Sequence, residues 1–179
     1  IGVTYGNSQS FTISPNTGYH IDSVVVDGVN EGLLTNRNFN AVIANHAIAA
    51  FFSIDVFTIT AGASAGGSIT PSGAVSVNYG DSLSFAISPN TGYHIDSVVV
   101  DGVNEGALAS RDFNGVTADH AIDAFFSIDV FTVTSGASAG GSITPSAAGS
   151  VNYGDTLSFA ISPNTGYHID SVVVEGVNE

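Results

Sequence analysis

Cysteine is absent from this sequence, so disulfides, thiolate metal sites and Cys-x-x-Cys-His haem attachment are excluded, although the compartment stays open. Lysine is absent too, which removes Lys-Asn isopeptide cross-links and the lysine of a phosphate-binding loop. Apart from histidine the only cations are Arg37 and Arg111, set against 16 acidic residues for a formal net charge of -14. A nucleic-acid binder needs cations to displace phosphate counterions, and an anionic membrane surface repels such a chain. Neither partner is expected, and no run of about 18 apolar residues is present to insert into a bilayer. No basic-then-apolar leader opens the chain and no Asn-x-Ser/Thr acceptor occurs in it. The residues that populate long helices, Glu, Lys, Leu and Arg, are scarce. Stability has to come from the packing of strands.

What is abundant is Gly, with 21 residues, together with Val, Ser, Thr and Ala. The segment Ser-Pro-Asn-Thr-Gly-Tyr-His-Ile-Asp begins at Ser14, Ser88 and Ser162, in steps of 74 residues. In that register residues 1–54 match 75–128 at 40 of 54 positions, and 129–179 match 55–105 at 45 of 51. One supersecondary unit has been duplicated. Residues 55–128 make a complete repeat, 1–54 the C-terminal part of one and 129–179 the N-terminal part of another. Both end pieces contain the Ser-Pro-Asn-Thr-Gly segment, so a window on a longer polypeptide is expected rather than a subunit completed by its neighbours.

Within the repeat Phe57 and Ile59 alternate with Thr58 and Thr60, Val75 and Val77 with Ser76 and Asn78, and Phe85 and Ile87 with Ser84 and Ala86. Period two predicts half-buried strands, six or seven to a repeat once Val98 to Val100 and Ile122 to Ile128 are included. Gly66-Gly67, Pro71, Gly80-Asp81 and Ser88 to Gly92 punctuate them, and Asp101-Gly102 suits a two-residue hairpin. At the repeat boundary Ile122-x-Ala124-x-Phe126-x-Ile128 runs into Phe131-x-Val133, with the apolar phase flipping around Asp129 and no linker residues. The reading is all-β: tandem small β-modules of 74-residue period forming a stiff rod.

The arrangement Phe57-Thr-Ile-Thr, Gly66-Gly-Ser-Ile-Thr-Pro, Tyr79-Gly-Asp-Ser-Leu-Ser-Phe, Pro89-Asn-Thr-Gly-Tyr-His-Ile, Val99-Val-Asp-Gly and Val116-Thr-Ala-Asp-His-Ala-Ile-Asp-Ala-Phe-Phe resembles the divergent internalin-type B repeat of bacterial and archaeal surface proteins. The resemblance runs over the entire chain. It implies a small β-grasp-related or sandwich-like module, strung in tandem in secreted or surface-attached proteins and lacking enzymatic activity. The family often carries Trp where this chain has Val98 or Val99, so no role of that aromatic transfers.

Several residues hold chemistry to weigh. Gly62-Ala-Ser64-Ala-Gly66, and its copy with Ser138, match a nucleophile elbow, but an elbow needs a strand before it and a helix after it, and Ser-Ile-Thr-Pro-Ser reads as strand and turn. His20, His94, His168, His46 and His120 lack the spacing of a zinc site, and lone strand-edge histidines are usually structural or solvated. The acids Asp22, Asp96 and Asp170, then Asp27, Asp101 and Glu175, then Glu31, Glu105 and Glu179, recur in all three copies. Calcium is the one cofactor they suit, against hairpin-turn and solubility roles. Asp112, Asp119 and Asp123 face Asn38, Asn45 and Ala49 in the other copy and read as solvated charge. Tyr19, Tyr93 and Tyr167 can stack on sugar rings or pack over their own turn. The expected function is an extracellular or cell-surface stalk, fibre or filament shaft, its partners neighbouring repeats or identical subunits; the alternative is a multivalent adhesin binding glycans or surfaces.

Overall fold

Ile59 and Ala61 are buried while Thr60 between them faces solvent, the outcome that alternation demands of a strand with one covered face. In the computed structural model, which describes residues 1–178, all regular elements are strands and no helix occurs. The complete repeat holds β6 (Val56–Ala63), β7 (Gly67–Thr70), β8 (Gly73–Asn78), β9 (Leu83–Pro89), β10 (Tyr93–Val100), β11 (Val103–Asn104), β12 (Ser110–Phe113) and β13 (His120–Ile128). That is eight strands, more than the six or seven read from alternation. β11 spans two residues and β12 has one apolar side chain, Phe113, so neither carries a period.

The strands form two layers. A five-stranded sheet runs in the order β11-β10-β13-β6-β8, and a three-stranded sheet β12-β9-β7 covers one face of it. The first and last strands of the repeat, β6 and β13, lie side by side at the centre and pair in parallel, His120 with Ile59 through Ala124 with Ala63. The other pairings are antiparallel. A central parallel pair of first and last strands is β-grasp-like, and the second sheet makes the module sandwich-like, so both halves of the expected fold class meet in one unit. The core between the layers is Ile59, Ile69, Val77, Phe85, Ile87, Val98, Val100, Phe113, Val116 and Ile122, with Phe85 and Phe113 edge to face at 5.8 Å.

Asp101 and Gly102 both take positive φ, 49° and 81°, as a tight hairpin joining β10 to β11 requires. A bulge between Ile95 and Ser97 leaves Asp96 out of the ladder with β13. The first piece contains β1 (Gln9–Thr12), β2 (Tyr19–Val26), β3 (Val29–Asn30), β4 (Asn36–Phe39) and β5 (Ile48–Ile54), paired β1-β4 and β3-β2-β5 around Ile13, Ile21, Val24, Val26 and Phe39. The last contains β14 (Val130–Val133), β15 (Gly141–Thr144), β16 (Gly149–Asn152), β17 (Ala160–Pro163), β18 (Val173–Val174) and β19 (Val177–Asn178), paired β14-β16, β15-β17 and β18-β19. Each pairing repeats the one made by the corresponding segments of the complete repeat, including the β2–β5 bulge at Asp22.

The repeat junction as candidate functional site

β5 ends at Ile54 and β6 begins at Val56, leaving Asp55 as the one residue between strands of consecutive repeats; Asp129 stands alone in the same way between β13 and β14. Each junction aspartate is held on both sides. The Asp55 N–H donates to the Gly18 carbonyl of the preceding repeat at 2.8 Å, and its carbonyl accepts from the Tyr79 N–H of the following repeat at 2.8 Å. Asp129 does the same with Gly92 and Tyr153, again at 2.8 Å on each side. An ionised carboxylate only accepts, so His20 Nδ1–H donates to Asp55 Oδ1 at 2.7 Å, and His94 Nδ1–H to Asp129 Oδ1 at 2.8 Å.

The joint has an apolar half as well. The Tyr79 ring of the following repeat lies on Gly18 of the preceding one, and Tyr153 lies on Gly92 in the same manner. A Cβ on either glycine would sit 2.5 Å from the ring Cγ, and both glycines hold positive φ, 78° and 79°. Phe57 and Phe131 stand behind these tyrosines at ring-centroid distances of 6.4 and 6.5 Å. The chain thus shows the same joint twice, from the same residue types at nearly the same distances. His20 and His94 are thus not lone strand-edge residues: each has a carboxylate partner, 35 positions further along the chain.

The recurring acids go to different places. Asp27 and Asp101 sit in the hairpin turn with Oδ1 accepting from the Ala47 and Ala121 N–H at 2.8 Å and Oδ2 from His46 and His120 Nδ1 at 2.6 and 2.7 Å. Those backbone bonds, and then the histidines, hold both carboxyls below their usual 3.8. Glu175 takes the same positive-φ turn position in the last piece. Asp22, Asp96 and Asp170 are exposed, the first two at the bulges. Glu31 and Glu105 pair with Arg37 and Arg111 at 2.7 Å, each guanidinium lying over Phe39 or Phe113. Glu179 lies outside the described residues. Among the described residues no three His, Asp or Glu side chains converge to hold a metal ion.

Tyr93 packs its ring on Gly66 of its own repeat and is partly buried; Tyr167 lies on Gly140 yet is 62% exposed, and Tyr19 is 44% exposed. Ser64 is followed by a turn and β7, not a helix, and its hydroxyl accepts from the Phe126 N–H at 3.0 Å, tying the end of β6 to β13. Ser138 stands just before the matching turn of the last piece. Asp119 is not idle surface charge: its Oδ1 accepts from the Thr58 N–H at 2.7 Å, at the opposite end of the same strand pair. Asp112 and Asp123 are exposed, Asp123 standing over Gly62. No helix of the described residues is long and apolar enough to cross a membrane.

A family model described as the divergent InlB B-repeat domain matches residues 57–129 and 131–178. The break between the two matched segments falls at Val130, one residue after the junction aspartate. Searches of curated proteins and of solved structures returned no match.

Proposed function

Since the chain belongs to the divergent InlB B-repeat family, whose members are typically found in surface proteins, we propose that it is part of a non-catalytic, extracellular stalk or filament shaft in which each repeat fixes the direction of the next. The observation that carries this reading is the joint built identically at Asp55 and Asp129. A single residue bonded through its N–H, its carbonyl and its carboxylate has little freedom left in φ, ψ or χ1, and a ring stacked on the neighbouring glycine blocks rotation about it. Repeats coupled in this way stabilise one another as well, which matters for a 74-residue unit whose own core is small.

The stalk is favoured over an adhesin by Tyr93, which in the complete repeat is packed against Gly66 instead of being presented as a platform. The test is a comparison of the native chain with the double variant Asp55→Ala and Asp129→Ala by small-angle scattering and by rotational diffusion in NMR relaxation. The expected result is an elongated particle whose pieces tumble together, with the variant showing a broadened distance distribution and separate correlation times at unchanged fold. Independent tumbling of the pieces in the native chain would remove the basis for the shaft.

A further inference from the structure

A shaft attached at one end and pulled at the other carries tension, and the topology of the complete repeat determines how that tension is met. The chain enters the module at the start of β6 and leaves it at the end of β13. These two strands are parallel neighbours in the middle of the five-stranded sheet. Their entry and exit points therefore lie at opposite ends of one ladder, and a pull along the chain slides β6 against β13 along the strand direction. All five register pairs, His120 with Ile59 to Ala124 with Ala63, are strained together, so none can open before the others. Antiparallel first and last strands would place entry and exit at the same end and let the bonds open one by one.

The ends of this ladder are locked by bonds that do not belong to it. Asp119 Oδ1 holds the Thr58 N–H at the entry end at 2.7 Å, and Ser64 at the other end accepts from the Phe126 N–H at 3.0 Å while its own N–H donates to Ala124. Water is kept from the inner side of the ladder by Ile59, Ile122 and Ala124, all fully buried. We propose that the complete repeat is a shear clamp whose further function is to bear tension along the shaft. The direction of the load rests on the shaft reading, whereas the strength of the clamp follows from the strand register and the bonds at its ends.

Because the chain has no cysteine, single thiols give unique handles for pulling one folded molecule along chosen axes. In the 179-residue chain, Val56→Cys with Val130→Cys loads the clamp in shear, and Val56→Cys with Ala118→Cys pulls the neighbouring strand ends apart and peels it; all three positions are exposed. Both pairs share the handle on β6 and differ in the end of β13 that is loaded, with urea unfolding of each variant as the control for an intact fold. The shear axis is expected to rupture at several-fold higher force. Its length gain should be just under about 250 Å, since the handles are 74 residues apart in sequence and each extended residue spans roughly 3.3–3.6 Å. Ser64→Ala, which removes the bond at the end of the ladder remote from Val56 and Ala118, should lower the shear force while leaving the peeling force nearly unchanged. Equal forces on the two axes, or a stronger peeling axis, would overturn the clamp without touching the joint. Freely hinged repeats in scattering would remove the shaft and leave the two-axis contrast standing.

Discussion

Replacing Gly92 by alanine separates the two parts of the joint, because Gly102 in the same repeat provides a matched control. Both glycines hold nearly the same positive φ, 79° and 81°, so an added Cβ strains the backbone equally, by about 1–2 kcal/mol. Around Gly102 there is nothing within 4 Å of the new atom, whereas at Gly92 it meets the Tyr153 ring, with Cγ at 2.5 Å. Carbon atoms settle near 3.5–4.0 Å, so the ring must retreat by about 1 Å or more and abandon its seat on the preceding repeat. Gly102→Ala is therefore expected to lower the urea unfolding free energy of the complete repeat by about 1–2 kcal/mol and leave particle length and joint tumbling unchanged. Gly92→Ala carries that same strain and in addition frees the following repeat to swing, which scattering reads as a loss of the longest distances and relaxation reads as a second correlation time. The reasoning is refuted if the two variants are alike in both stability and hydrodynamics, since the ring on glycine would then contribute nothing to the joint.

The hairpin clamp responds to acid with a defined sign. Asp101 has its folded value depressed, first by the Ala121 N–H and then by His120, so its stabilisation is complete above the usual 3.8 of the unfolded chain and is lost as pH falls through the lower folded one. Asp101→Asn, which keeps the tolerance for positive φ, should flatten that acid-side loss in urea midpoints measured between about pH 6 and pH 2. Phe85→Ala empties the centre of the core and is expected to cost about 3–5 kcal/mol, a large share of the stability of a unit this size, read as a lowered urea midpoint by circular dichroism. Adding a calcium chelator should leave the thermal midpoint where it was, because Asp101 and Glu105 already hold protein donors and Asp96 stands apart from them; a downward shift in calorimetry would show a bound cation. Ser64→Ala removes the acceptor of the Phe126 N–H and should cost about 1 kcal/mol in chemical unfolding, with Ser64→Thr restoring most of it.

Much of the architecture is legible in the sequence. The period, the alternating strands and the Asp101-Gly102 hairpin are local properties, written in residues that neighbour one another or stand two apart. What could not be read is what joins distant parts of the chain. The parallel pairing of β6 with β13 spans a whole repeat and leaves no mark on the alternation of either strand. His94 looked solitary because its carboxylate partner belongs to the boundary with the next repeat, 35 residues on. Asp119 looked like idle charge because its counterpart is Asn45, yet an amide oxygen accepts a hydrogen bond as a carboxylate does, so the change between copies was no sign of an unused side chain. The sequence does carry one signal of the joint: a histidine that recurs in all three copies, at His20, His94 and His168, asks for a partner.

The differences between copies argue the same point from the other side. Residues 1–54 depart from 75–128 at 14 positions, and on the complete repeat all but Val75 and Leu83 of these are exposed. Surface positions have been free to drift while the core has not, as packing requires. His94, however, is 54% exposed at its side chain and identical to His20 and His168, and the junction aspartates, Gly18, Gly92 and Gly166, and Tyr5, Tyr79 and Tyr153 are likewise unchanged. Exposure alone predicts that some of these would have varied. Their constancy follows if every boundary has to make the same joint, because a shaft bends at its weakest boundary and gives way there first. A repeat whose core folded well but whose histidine or glycine had drifted would be a sound module and a broken link. On the proposed shaft reading, the unit preserved by this chain is the module together with its boundary, and the boundary is where a substitution can uncouple neighbouring repeats while leaving every core intact.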